Sequence, residues 1–146
     1  MFMNVRVLRI SDIHHSFESS FFGTVARSFP LLYELSMSNR ILQIHKPLYQ
    51  VKKRKGISSI IEFPHLKVLF MDWVLIDCIE QFLSCLNTRL ASLNAFHIQY
   101  NQLMAVTENF TRHDTRINCV KSKHLFFPDR TLRVHSRDFY LYFSLL

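Results

Sequence analysis

Glycine is nearly missing from this chain, with only Gly23 and Gly56 among 146 residues. Phosphate-cradling loops and the Gly-x-Ser-x-Gly nucleophile elbow need glycine at fixed offsets, because their tight turns leave no room for a side chain. Both classes are excluded. Cysteine is scarce and odd in number, and Cys78, Cys85 and Cys119 form no Cys-x-x-Cys. One thiol stays unpaired under any pairing, so reduced core cysteines in a cytoplasmic or nuclear protein are expected. No stretch approaches the roughly 18 uninterrupted apolar residues of a membrane span. The N-terminus also lacks the basic start, long apolar run and small-residue cleavage site of a secretory signal. Asn109-Phe110-Thr111 fits a glycosylation sequon, which without secretion is incidental.

What is present is a repeat. Phe29-Pro30-Leu31-Leu32-Tyr33-Glu34-Leu35-Ser36-Met37 and Phe63-Pro64-His65-Leu66-Lys67-Val68-Leu69-Phe70-Met71 share Phe, Pro, Leu, Leu and Met at the same offsets. A looser copy opens the chain (Phe2, Val5, Leu8, Ile10), another follows (Asn87, Leu90, Leu93, Ala95), and a degraded fifth is Asp114, Ile117, Val120. Apolar anchors three and then two apart suit a short strand whose inward side chains stack on the next unit, the spacing of leucine-rich repeats. All twelve anchors of the first four units are apolar, against five of the twelve residues between them. The units are therefore expected to start near residues 2, 29, 63, 87 and 114.

Between the frames the period changes. Phe17, Phe21, Phe22, Val25, Ala26 and Phe29 recur at helical spacing, as do Ile79, Phe82, Leu83 and Leu86, and Leu103, Val106 and Phe110. Ser16, Asp77 and Asn101 stand where helix starts need a side-chain oxygen. Pro30 and Pro64 should close helical stretches before a strand. The expected fold class is α/β, an irregular leucine-rich-repeat-like stack of strand-helix units forming one soluble domain over residues 1–146. A chain of this length buries roughly two thirds of its unfolded surface and needs no disulfide or metal.

The net charge is +7, and more than half of it sits in one run, Lys52-Lys53-Arg54-Lys55. With Lys46, Pro47 and Gly56 around it, residues 46–56 read as an exposed basic insertion. Lys52, Lys53, Arg54 and Lys55 are a nuclear-import candidate or a contact for acidic partners. No basic stripe alternates with exposed rings, so nucleic acid is not the expected partner.

Candidate chemistry is confined to one corner. Residues 5–14, ending Ser11-Asp12-Ile13-His14, resemble the opening motif of calcineurin-like metallophosphoesterases, which would make Asp12 and His14 metal ligands. That family's Gly-Asp-x-x-Asp, Gly-Asn-His-Asp/Glu and late Gly-x-His have no counterpart here. Asp12, His14 and His15 then read as polar residues of the turn leaving a strand, and His113-Asp114 as part of a loop. No residue is assigned to catalysis, a cofactor or a metal.

The frames at Val5, Leu32, Leu66 and Leu90 resemble the leucine-rich-repeat region of F-box proteins, over roughly residues 2–125. The resemblance implies noncatalytic recognition of a protein partner, as in the substrate-binding half of a ubiquitin-ligase adaptor. No F-box precedes the first frame. The Asn or Cys expected three residues after the last strand anchor is instead Ile13, Arg40, Val74 and Ile98, so the usual side-chain ladder at that turn is missing.

A repeat stack needs polar caps, and Met1-Phe2-Met3 supplies none, which suggests a piece of a longer protein or pairing through the first strand, residues 5–10. The run Phe139-Tyr140-Leu141-Tyr142-Phe143 is expected to close the fold as a strand or to form an aggregation-prone edge. The function expected is a protein-protein interaction module. The alternatives are a metallophosphoesterase fragment and a truncated fragment without independent function.

Overall fold

The structure, a computed structural model, describes residues 2–11, 19–38, 59–129 and 133–146. Along the chain come β1 (Val7–Ile10), α1 (Ser19–Ser28), β2 (Glu34–Ser38), β3 (Ile61–Glu62), β4 (Val68–Asp72) and α2 (Ile76–Leu83). They are followed by β5 (Thr88–Arg89), β6 (Ala95–Ile98), α3 (Tyr100–Val106), α4 (His113–Cys119), β7 (His124–Phe126) and α5 (Arg137–Tyr142). The fold is α/β, with parallel strands alternating with helices. Five strands form one sheet in the order β1-β2-β4-β6-β7, and β3 pairs with β5 in a separate two-stranded parallel sheet.

The register reveals the repeat. Leu8, Leu35, Leu69, Phe96 and Leu125 stand side by side across the large sheet, as do Ile10, Met37, Met71 and Ile98. The residues of the first row follow one another along the chain at intervals of 27, 34, 27 and 29 residues. The twinned frames at 29 and 63 pair anchor on anchor, Leu35 with Leu69 and Met37 with Met71.

The fourth and fifth frames need correction. Leu93, Phe96 and Ile98 keep the same three-then-two spacing as Leu90, Leu93 and Ala95, and the strand adopts the later triplet. Phe96 and Ile98 then fill the core beside Leu69 and Met71, each fully buried. Residues 114–120 form no fifth strand. Thr115, Asn118 and Cys119 are the buried residues of α4, a helical i, i+3, i+4 set, while Ile117 is exposed. The fifth strand is β7, ten residues later.

A backbone device ties successive units at the edge where the strands begin. The carbonyl of Arg6 accepts from the amides of both Tyr33 and Glu34, and that of Tyr33 accepts from Lys67 and Val68. Lys67 does the same for Asn94 and Ala95, and Asn94 for Lys123 and His124, all at 2.7–3.1 Å. Each carbonyl thus uses both lone pairs to fix the entry of the next strand.

Beneath the sheet, Leu35, Met37, Leu69, Met71, Phe96 and Ile98 meet the apolar faces of the helices: Phe22 from α1, Ile79 and Phe82 from α2, Leu103 and Val106 from α3. Phe22 stands edge-on to Phe82, with ring centroids 4.7 Å apart. α1 ends at Ser28, two residues before Pro30. Pro64 closes no described helix, since β3 precedes it. Asp77 and Asn101 lie inside the first turns of α2 and α3, whose caps are Leu75 and Gln99 without a side-chain bond, and Ser16 is outside the described residues. Leu86 lies beyond α2 and is exposed.

The helical spacing of Leu103, Val106 and Phe110 outruns its helix. α3 ends at Val106, and Glu108, Asn109 and Phe110 adopt φ of 52°, 57° and 63°. Thr107 holds this left-handed turn by donating its hydroxyl to the Leu103 carbonyl and accepting from the Phe110 amide. Phe110 returns to the core by that route. The aromatic C-terminal run is a helix: Phe139, Tyr142 and Phe143, spaced three and one apart, are buried against Phe110 and Phe96, and Tyr140 and Leu141 are exposed.

Candidate functional site on the outward face of the sheet

Alternate side chains of a strand point to opposite faces, so the residues between the core anchors form the outward face. One row across it is Arg9, Ser36, Phe70, His97 and Phe126. A second is Val7, Glu34, Val68, Ala95 and His124. Strands lie about 4.8 Å apart, and parallel pairing in register places equivalent side chains one strand spacing from each other. The rings in the first row touch accordingly, each tilted about its neighbour by 38° and 42°. Phe70 and His97 have centroids 4.0 Å apart, and His97 and Phe126 4.7 Å. Phe126 is 44% exposed at the end of this ladder, while Phe70 and His97 are half-buried.

Burial between the two rings lowers the pKa of His97 below its ordinary value, although Glu34 pulls it partly back. The imidazole is therefore neutral at pH 7, and the ladder presents one continuous uncharged aromatic surface. At its far side Gln99 donates to Asp72 at 3.2 Å. Trp73, the only tryptophan of the chain, follows with φ of 54°, a left-handed conformation unusual for a bulky side chain.

A separate polar cluster lies among the helices. Arg112 binds Asp114 through Nε and Nη2 at 2.6 and 2.7 Å and Glu80 at 2.8 Å, and Ser84 donates to Asp114 at 2.6 Å. Burial raises the Asp114 carboxyl, but the hydrogen bonds from Arg112 and Ser84 outweigh it and hold the pKa below its ordinary value. The cluster borders a cleft of about 550 Å³ that includes Asp77, Gln81 and Glu108. Arg112, Asp114, Glu80 and Ser84 are engaged with one another, while the buried Gln81 Oε1 beside them has no partner among the described residues. His113-Asp114 opens α4 and is not a loop, and Asp114 faces Arg112.

The three cysteines are free thiols, two of them buried, and burial raises the pKa of Cys85 and Cys119. Burial thus favours the protonated thiol at both. Asp12, His14, His15 and the basic run Lys52, Lys53, Arg54 and Lys55 lie outside the described residues. Among the described residues no three His, Cys, Asp or Glu side chains gather as a metal site, and no helix is long and apolar enough to cross a membrane.

The missing Asn ladder has substitutes that spacing did not reveal. Gln102 Nε2 donates to the Val74 carbonyl at 2.7 Å, bridging two units at the turn leaving the strand. Asn118, only 3% exposed, donates to the carbonyls of Phe82, Leu83 and Thr88 and accepts from the Leu90 amide. The aromatic ladder was hidden by the register. Only with Phe96 as the anchor does His97 take the outward position held by Phe70 in the previous unit.

Comparison with protein-family models, curated proteins and solved structures finds no match for this chain.

Proposed function

We propose that this chain is a noncatalytic protein-protein interaction module of leucine-rich-repeat type, similar to the substrate-recognition repeats of F-box ubiquitin-ligase adaptors. Its partner binds on the outward sheet face. The observation that carries this reading is the Phe70-His97-Phe126 ladder, three rings in mutual contact from three neighbouring strands. Rigid aromatic side chains already held against one another lose little conformational entropy on binding and supply the large apolar contacts that dominate interface energetics. Glu34, Asp72 and His124 around them form a polar rim.

The test is quantitative capture from native cells with tagged wild type and a Phe70→Ala/Phe126→Ala variant whose melting temperature is unchanged. Proteins bound by wild type should fall at least several-fold with the variant. An identical captured set would overturn the reading.

The proposed location is cytoplasmic or nuclear, with Lys52, Lys53, Arg54 and Lys55 directing import. Alanine at all four should move a tagged protein out of the nucleus without altering its melting temperature. An unchanged distribution would remove the import role.

A further inference from the structure

The edge where the strands begin carries a second recognition feature, distinct from the aromatic ladder. The residues just before β1, β2, β4, β6 and β7 are Arg6, Tyr33, Lys67, Asn94 and Lys123, the same residues whose backbones form the shared-carbonyl ladder. Cations therefore occupy the first, third and fifth places of a fixed row, with neutral Tyr33 and Asn94 between them. Two depressions run along this row. One, of about 290 Å³, is lined by Arg6, Tyr33 and Lys67 among others, and the next, of about 370 Å³, by Lys67, Asn94, Lys121 and Lys123 among others. Lys67 lines both, so the two depressions adjoin at its side chain. Among the described residues no carboxylate lines either depression. The nearest acid on these strands is Glu34, the first residue of β2, on the outward face.

Strand spacing sets the distance between the cations. Strands lie about 4.8 Å apart, so Arg6 and Lys67, and then Lys67 and Lys123, stand about 10 Å apart at their backbones. A chain crossing the strands in extended form advances about 3.3 Å per residue, and a polyproline II chain about 3.1 Å with three residues per turn. In an extended strand residues three apart point to opposite sides, whereas in polyproline II every third side chain returns to the same face and, after about 9 Å, reaches the next cation. The exposed Tyr33 ring, with Lys67 Nζ 5.8 Å from its centroid, offers an apolar contact for the residues between.

We infer that this rim binds an acidic peptide segment of a protein partner in polyproline II conformation, with carboxylates at every third residue. The inference rests on the interaction-module reading and adds the chemistry of the partner. It places the acidic segment along the strand-entry rim, with the aromatic ladder free to hold a neighbouring part of the same partner.

The test is fluorescence anisotropy on the full chain with a labelled peptide bearing glutamate at every third position among serines. The reference is a peptide of the same composition with its glutamates in one block. Wild type should bind the spaced peptide several-fold more tightly than the blocked one, and binding should weaken as salt rises. Lys67→Ala/Lys123→Ala should lose at least tenfold in affinity. Alanine at Lys52, Lys53, Arg54 and Lys55 should keep the preference for the spaced peptide, and Phe126→Ala should leave peptide binding unchanged, which separates the rim from the aromatic ladder. Wild-type affinity in the rim variant would overturn the inference. So would no binding by wild type, loss of the preference in the basic-run variant, or tighter binding of a single-stranded oligonucleotide of equal charge.

Discussion

At the scale of single residues, Asn118 joins pieces of chain that no local pattern connects. One buried amide satisfies three carbonyls at the end of α2 and the start of β5 and one amide beyond it. Asn118→Leu keeps similar bulk but leaves four backbone groups without this partner, and each buried unpaired group costs about 1–3 kcal/mol. A loss of at least about 3 kcal/mol in urea denaturation is expected, and a loss below about 1 kcal/mol would mean that the backbone finds other partners. Leu35 and Leu69 test a different property, equivalence. They are paired, fully buried anchors of the twinned frames, and Leu→Ala at either should cost about 2–5 kcal/mol. An unchanged denaturation midpoint in both variants would contradict the core register. The leucines were legible because their spacing is periodic. Asn118 was not, because its partners lie up to 36 residues away.

At the scale of elements, the outward row makes stability depend on pH. The folded-state pKa of His97 is lowered from the ordinary 6.5, first by burial, so the unfolded chain binds the proton more readily. Stability contributed by this group is present above about pH 6.5 and is lost as pH falls through the window below it. His135, also lowered, acts in the same direction. The substitution His97→Phe isolates the ladder. Between about pH 7.5 and pH 5.5 the variant should lose less stability than wild type in matched urea titrations. Equal losses would show that His97 accepts its proton without cost. The helices tell a related story about legibility. The period of Phe139, Tyr142 and Phe143 is helical, yet the density of apolar residues reads as a strand. Packing of alternate turns against Phe96 and Phe110 decides between them.

At the scale of the whole molecule, the sheet has two ends. Among the described residues β1 pairs only with β2, and Val7 on its outward face is 49% exposed. An edge strand of this kind is a template for another strand. Wild type should therefore self-associate with rising concentration in sedimentation velocity, and Val7→Lys should reduce the association while leaving Leu8 and Ile10 in place. A wild-type chain that stays monomeric at high concentration would show the edge to be protected.

Local sequence determined that strands and helices alternate and which side chains of the first three units point inward, because apolar spacing selects a period and a face within a few residues. It could not determine where the fourth and fifth strands begin. A slide of three residues turns Leu90, Leu93 and Ala95 into Leu93, Phe96 and Ile98 without changing the apolar spacing. Only packing beside Leu69 and Met71 tells these registers apart. With that choice made by the tertiary structure, His97 and Phe126 join Phe70 in one row of touching rings, and Arg6, Lys67 and Lys123 line one edge. Both surfaces consist of residues far apart in the chain, brought side by side by the pairing of parallel strands.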